Sequence, residues 1–136
     1  MKFPKNSPAS FHSSSKKIAG LGIDLVSLKR TQRFLTQHSP SVCKELLGHF
    51  EHKFFRSGKI SVRRWAKYFA AKEAYFKSLN QVWFGREGFS RVEIHPHSSH
   101  HFTASWMDRG ERKWTAEGSW CWTRSHVIAH VIRRED

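Results

Sequence analysis

Apolar positions along the chain change from a helical period to an alternating one near residue 80. Between the first predicted strand and that point they recur at helical spacing, most clearly between Ser61 and Leu79. After it they alternate with polar residues, which is typical of strands. The stripe of the longest predicted helix consists of Trp65, Tyr68, Tyr75, Phe76 and Leu79. Helices followed by antiparallel strands predict an α+β fold in which an antiparallel sheet packs against a long helix.

Local signals place the ends of the predicted elements. Residues Ile18–Val26 are rich in β-branched and small side chains and predict a strand. Ser27 is suited to cap a helix that reaches about His38, and Ser39 with Pro40 begins another that stops near Gly48. The other predicted elements are a short helix at 50–56, the long helix at 61–79 and strands at 90–95, 101–107, 113–115, 119–122 and 126–133.

Composition limits the class of protein. Residues 1–15 are rich in serine and proline and predict a flexible tail, and residues 16–136 are the size of a single domain. The chain has no apolar run long enough for a membrane-spanning helix. Cys43 and Cys121 form neither a disulfide framework nor a zinc pattern, which favours a reducing compartment and a cytoplasmic location. Cys121, between two tryptophans, is expected to be an inert buried thiol.

The net charge and its distribution along the chain are the most informative features of the composition. The formal net charge is +13, and residues 1–68 hold 14 basic and 3 acidic residues against 10 and 8 in residues 69–136. Such asymmetry predicts an anionic partner, which leaves open nucleic acid, an acidic protein, a phosphorylated ligand or a membrane surface. Tryptophans on the later strands would suit a nucleic-acid-binding module, although they are more typical of core and interface.

Asp24 is one of the three acids in the basic half, and it lies within the first predicted strand. It shares a face of that strand with Gly20 and Gly22, which leave space for another group to approach. A carboxylate there needs a cation or a hydrogen-bond donor. The alternative is that Asp24 caps the helix that begins at Ser27.

Glu73 is the second acid of interest, because it lies within the longest helix beside small residues, Ala66 and Ala70. These alanines predict a groove next to the carboxylate. The alternative is a simple helical pair between Glu73 and Lys77, four residues apart. If Asp24 and Glu73 converge instead, they could hold a hard divalent cation such as Mg²⁺ with phosphate oxygens, and Lys77 would face the same phosphate.

Two segments resemble a known family. Gly22-Ile23-Asp24-Leu25-Val26, followed by Leu28-Lys29-Arg30, is similar to the first signature of the holo-acyl-carrier-protein synthases, which are short 4′-phosphopantetheinyl transferases. The run from Phe69 to Leu79, FAAKEAYFKSL, resembles the second signature more closely. Residues 89–94 and 129–132 resemble later strands of the family, so the resemblance covers about residues 16–135.

The resemblance implies an activity. Family members transfer the phosphopantetheine arm of coenzyme A to a serine of an apo carrier protein and release 3′,5′-ADP. By position, Asp24 and Glu73 would hold Mg²⁺, Glu73 would deprotonate the serine, and Lys77 would bind the phosphates. The basic half then becomes a docking surface for an acidic carrier protein.

Further implied roles concern the two substrates and assembly. The resemblance assigns coenzyme A binding to Lys77, Lys67, Arg64 and His126, and carrier docking to Arg30 and Arg33. Family members of this length are typically trimers with active sites at subunit interfaces. The alternatives are a basic nucleic-acid-binding module and a weakened family member that only binds carrier protein.

The sequence departs from the family pattern in four respects, one of which is a stretch between the last strands that is too short for the family's additional helix. Tyr68 stands where the family usually has arginine, and Ser78–Trp83 replaces a glycine-rich turn. Counted back from Ala129 without a gap, Trp122 stands where a histidine is usual, and His126 matches only if the turn is shorter.

Overall fold

The structure is a computed structural model that describes residues 16–55, 61–80 and 85–135, without side-chain burial for 85–87. The predicted tail at 1–15 and residues 81–83 of the turn after Lys77 lie outside the described residues, as does the end of the predicted short helix at 56. Among the described residues, no helix has the length and apolar character needed to span a membrane.

Helices come first and strands later, as predicted. The helical elements are α1 (Leu28–Gln37), α2 (Pro40–Lys44), a 3₁₀ helix (Glu51–Phe55), α3 (Val62–Ser78) and α4 (Gly85–Arg91). The strands are β1 (Ile18–Ser27), β2 (Val92–Pro96), β3 (His101–Asp108), β4 (Glu111–Trp122) and β5 (His126–Arg134). The α+β prediction is confirmed, with β1 as the single strand that precedes the helices among the described residues.

Serine side chains start three helices. The hydroxyl of Ser27 accepts from the backbone N–H of Arg30 at 3.2 Å, which begins α1 at the predicted place. Ser39 caps α2 with Pro40 in its first turn, and Ser61 caps α3. Each hydroxyl satisfies an amide that has no partner within its helix, which is why these local signals predicted the starts well.

Three predicted boundaries are wrong. Residues 90 and 91 belong to α4, which was not predicted, and β2 begins only at Val92. The strands predicted at 113–115 and 119–122 are one continuous strand, β4. Its pairing with β3 shifts register between Ala104 and Trp106, but the strand does not end there. At that point Trp114 has a φ of 50°, an unusual conformation for a bulky residue. Finally, α2 ends at Lys44, before Gly48.

The five strands form one antiparallel sheet in the order β1-β5-β4-β3-β2. Helix α3 covers one face, and its Trp65, Tyr75 and Phe76 are buried in the core. On the opposite face Leu21 and Ile23 of β1 are 62% and 65% exposed. Cys121 is also exposed, so the predicted buried thiol is wrong. Its register opposite Ile128 places it on this open face.

Helix α3 lies unusually close to β1 because two glycines leave room for its backbone. A Cβ atom added at Gly20 would lie 1.8 Å from the carbonyl oxygen of Ser78, and one at Gly22 would lie 1.7 Å from that of Ala74. The group that approaches the glycine face of β1 is therefore the helix backbone itself. This contact fixes which α3 side chains lie beside Asp24, the next residue on the same face of β1.

We expect Gly22→Ala to separate α3 from β1, because the added methyl group meets backbone that cannot rotate away. The free energy of unfolding should fall by about 3 kcal/mol or more, beyond the common cost of overpacking. Chemical denaturation measures this value.

The control is Gly110→Ala. Its Cβ would meet no atom within 4 Å, and its φ of 84° leaves mainly backbone strain, which costs about 1–2 kcal/mol. Equal losses for both variants would contradict the close packing of α3 on β1.

Candidate active site

Asp24 and Lys77 form an ion pair between β1 and α3. The Lys77 ammonium donates to Asp24 Oδ1 at 2.9 Å and to the carbonyl oxygen of Ile23 at 3.0 Å. The Asp24 side chain is 15% exposed and that of Lys77 is 52% exposed. The capping alternative for Asp24 is wrong, because the hydroxyl of Ser27 caps α1. Asp24 instead faces the helix that carries Glu73.

Glu73 is one helical turn before Lys77 and is partly buried. Its pKa is raised, first by loss of solvent around the carboxyl group and then by the negative charge of Asp24, while Lys77 lowers it. The two carboxylates are thus close enough to repel each other. A raised pKa on a carboxyl group beside a second carboxylate and a lysine is typical of functional sites.

A cavity of about 490 Å³ opens beside these carboxylates. Its polar lining includes Asp24, Glu73, Arg30 and Thr31. Its apolar lining includes Leu25, Val26, Phe34, Leu46, Phe69 and Phe89. A concave site with an apolar wall and a few convergent charged groups is the usual form of a ligand pocket. We call it the carboxylate cavity.

A buried ion pair lies behind the apolar wall, and the sequence analysis missed it. The Lys72 ammonium is 2.5 Å from Glu51, and both side chains are almost fully buried. It also donates to the carbonyl oxygens of Leu46 and Phe89, at 2.9 and 2.8 Å, and both residues line the carboxylate cavity. Position 72 falls seven residues after Trp65, on the buried side of α3, which was the available signal.

Arg64 and Lys67 lie in a different place, a basic cavity of about 320 Å³ that Tyr68 and Trp120 also line. The Lys67 ammonium donates to the carbonyl oxygen of Ser99 at 2.9 Å and lies 4.4 Å from the centre of the Trp120 ring. Its pKa is lowered by partial burial and then by the charges of Arg64 and Arg63. This arrangement concentrates positive charge next to aromatic faces.

The tryptophans that the structure describes on the later strands do not form an open row for stacked bases. Trp120 is 3% exposed and its indole N–H donates to the carbonyl oxygen of Lys67 at 2.8 Å. Trp122 stacks against His100 with ring centres 4.8 Å apart. Trp120 therefore does not support the nucleic-acid-binding alternative, because its ring is buried. Trp114 is exposed, and it lies at the irregularity within β4 where its φ is positive.

The remaining predicted site residues are separate from these two cavities. His126 lines a third cavity, of about 520 Å³, with Lys29 and Arg124. Arg33 is exposed on α1. The structure thus brings together Asp24, Glu73, Lys77 and Arg30, and it places Arg64 with Lys67 in one further cavity and His126 in another.

Asp24 and Glu73 fit a hard divalent cation such as Mg²⁺. Both offer carboxylate oxygens, and their mutual repulsion would be relieved by a positive ion between them. Among the described residues no group of three or more His, Cys, Asp or Glu side chains is placed to hold a metal. Two protein carboxylates are the number usual for Mg²⁺ that is also bound by substrate phosphates and water.

Comparison with known proteins agrees with the motifs. The family model of the 4′-phosphopantetheinyl transferase superfamily matches residues 20–131. A holo-[acyl-carrier-protein] synthase of Ruthia magnifica subsp. Calyptogena magnifica is 39% identical over 62 residues, which are 46% of this chain and 49% of the relative. With a second relative, from Geotalea daltonii, the match covers 62% of its length. The chain thus spans about half to three fifths of the curated relatives it matches.

Solved structures share the fold over most of the chain. The crystal structure of holo-[acyl-carrier-protein] synthase from Neisseria meningitidis has a TM-score of 0.68 and 25% identity, covering 87% of this chain and 99% of that one. The Helicobacter pylori holo-[acyl-carrier-protein] synthase in complex with coenzyme A has a TM-score of 0.65 and 22% identity, covering 83% and 98%. The five-stranded antiparallel sheet with its helices is therefore the fold of these proteins.

Proposed function

The chain belongs to the 4′-phosphopantetheinyl transferase superfamily, and from that premise we propose that it is a holo-[acyl-carrier-protein] synthase. It transfers the phosphopantetheine arm of coenzyme A to a serine of apo acyl carrier protein and releases 3′,5′-ADP. The observation that carries this proposal is the convergence of Asp24, Glu73 and Lys77 beside one cavity. The coenzyme A in the Helicobacter pylori relative supports the choice of donor.

Glu73 is the group that receives the proton of the serine hydroxyl, directly or through water. The serine oxygen attacks the phosphorus that carries the pantetheine arm, a new P–O bond forms, and the bond to the 3′,5′-ADP oxygen breaks. Burial and Asp24 raise the pKa of Glu73, which strengthens it as a base. The charge of Lys77 acts in the opposite direction and favours the carboxylate form of Glu73.

Asp24 and Glu73 would hold Mg²⁺, which when bound neutralises the pyrophosphate charge. Lys77 binds an oxygen of the pyrophosphate and stabilises the negative charge on the leaving group. Its ammonium is half-exposed beside the carboxylate cavity and has three N–H donors, so it is suited to a phosphate oxygen. Lys72, although it is adjacent to Glu73, is buried against Glu51 and has a structural role.

The other basic side chains bind one or the other of the two substrates. Arg64 and Lys67, in their basic cavity, and His126 contribute to binding of the coenzyme, whose phosphates extend beyond the carboxylates. Arg30, at the rim of the carboxylate cavity, and the exposed Arg33 on the same helix dock the acidic carrier protein. Their charges also steer its approach, because the whole chain carries +13.

The open face of the sheet supports assembly into a homotrimer with interfacial active sites. Leu21, Ile23 and Leu25 of β1 are each about three-fifths exposed on this face, at 62%, 65% and 59%. Ile128 and Ile132 of β5 lie opposite Leu25 and Leu21 and continue the apolar area. The exposed His130 lies between these isoleucines, opposite Ile23. An exposed apolar strand face such as that of β1 marks a protein interface. Leu25 of this face also lines the carboxylate cavity, so a trimer that buries the face would bring a neighbouring chain to the edge of that cavity.

The proposal extends to a single catalytic domain and a cytoplasmic location. The family match over residues 20–131 supports treating 16–136 as one catalytic domain. Cys43 and Cys121 are both free thiols, which supports a reducing compartment, the cytoplasm.

The function is tested by mass spectrometry of an apo acyl carrier protein incubated with the protein, coenzyme A and Mg²⁺. We expect the carrier to gain the mass of phosphopantetheine. Asp24→Asn should slow this transfer by about 100-fold or more, because it removes a ligand charge at the reacting phosphates. Asp108→Asn is the matched control: Asp108 also pairs with a lysine, Lys113, at 2.7 Å, but on the β3–β4 hairpin.

The same assay separates docking from chemistry. Arg30→Glu should raise the KM for the carrier and leave the KM for coenzyme A almost unchanged, whereas Arg112→Glu, at an exposed position on β4 that does not line the carboxylate cavity, should alter neither. An unmodified carrier with wild-type protein across several apo carriers would reject the transferase. Equal loss in Asp24→Asn and Asp108→Asn would reject the site.

Assembly is tested by analytical ultracentrifugation. We expect three chains for the wild-type protein and a single chain for Ile23→Asp, because a carboxylate would be buried in the apolar interface. Phe54→Asp is the control, since Phe54 is also exposed, at 48%, but on the 3₁₀ helix. A monomeric wild-type protein, or a trimer that persists in Ile23→Asp, would contradict this interface.

A further inference from the structure

Lys77 is positioned on a carboxylate oxygen that a divalent cation would need. Its ammonium donates to Asp24 Oδ1 at 2.9 Å and to the carbonyl oxygen of Ile23 at 3.0 Å, so two of its three N–H donors are engaged with β1. Asp24 is one of the two acidic side chains that line the carboxylate cavity. An ammonium ion and a metal ion compete for such an oxygen, because both are held by its negative charge.

We propose that Lys77 is a built-in competitor for the divalent cation at Asp24 and weakens cation binding in the protein without substrate. This inference rests on the proposed function, in which Asp24 and Glu73 hold the cation. A dication that binds Asp24 must displace the ammonium from Oδ1 or accept its repulsion at a few ångströms. At a half-exposed site that interaction corresponds to about a tenfold loss of affinity.

The structure also indicates how the competition ends. The Lys77 side chain is 52% exposed, so it has room to leave β1. A phosphate oxygen of an anionic substrate offers the ammonium a new partner of the same charge as Asp24. When Lys77 moves to that oxygen, Asp24 becomes available. Cation and phosphate then favour each other's binding through a single side chain, and by linkage the effect is reciprocal.

The test measures Mn²⁺ binding to the whole chain without coenzyme A, by electron paramagnetic resonance of the free ion. Lys77→Met removes the charge and keeps the length of the side chain, and we expect it to bind Mn²⁺ about tenfold more tightly than wild type. Lys77→Arg keeps the charge and should bind Mn²⁺ like wild type. Thermal melts of the two variants establish that both are folded.

Arg30→Met is the matched control, because Arg30 also lines the carboxylate cavity but lies on α1. Loss of the Arg30 charge changes the electrostatic field at the carboxylates without removing a direct partner of Asp24, and it should alter Mn²⁺ affinity by less than about twofold. If Asp24→Asn abolishes binding but Lys77→Met binds no more tightly than Arg30→Met, the competition is rejected and the cation site stands. If neither wild type nor any variant binds Mn²⁺, the cation site fails, and this inference fails with it.

Discussion

The contact on which the candidate site depends is the packing of the α3 backbone against Gly20 and Gly22 of β1. The carbonyl oxygens of Ala74 and Ser78 occupy the space where side chains would otherwise lie. Glu73 and Lys77 each precede one of these contact residues, so they are presented to the strand at close range. Asp24 continues the glycine face of β1 and meets them. The glycines therefore help to set the geometry of the candidate site, although they have no functional group.

Two ion pairs near the candidate site differ in burial: Lys72–Glu51 is buried, and Lys77–Asp24 is partly exposed. Lys72 and Glu51 are buried together, and the Lys72 ammonium donates hydrogen bonds to the carbonyl oxygens of Leu46 and Phe89, which line the carboxylate cavity. Removing one partner of such a pair commonly costs about 3–5 kcal/mol. Asp24, in contrast, lines the cavity, and its partner Lys77 is half-exposed beside it. Adjacent positions of one motif, Lys72 and Glu73, thus serve opposite purposes, because helical geometry turns one inward and the other to the side.

Local chemistry explains how far the sequence could predict this structure. Serine caps and apolar periodicity predicted β1, α1 and α3 well, since both signals come from neighbouring residues. The bulge at Trp114 and the helix α4 depend on pairing and packing with distant parts of the chain, so neither was predicted. Asp24 and Glu73 were predicted as candidates from their surroundings together with the family resemblance, and the structure brings the two carboxylates close together. The Lys72–Glu51 pair was not predicted. A charged residue is expected to be exposed even on the apolar side of a helix, unless an oppositely charged partner is known.

A crystal structure of the protein with coenzyme A and Mg²⁺ would show whether Asp24, Glu73 and Lys77 converge on one pyrophosphate. We predict that the ion is bound by the carboxylates of Asp24 and Glu73, and that the Lys77 ammonium lies on a pyrophosphate oxygen rather than on Asp24. A pyrophosphate bound elsewhere, for instance in the basic cavity of Arg64 and Lys67 with Asp24 still paired to Lys77, would contradict this role of the three residues.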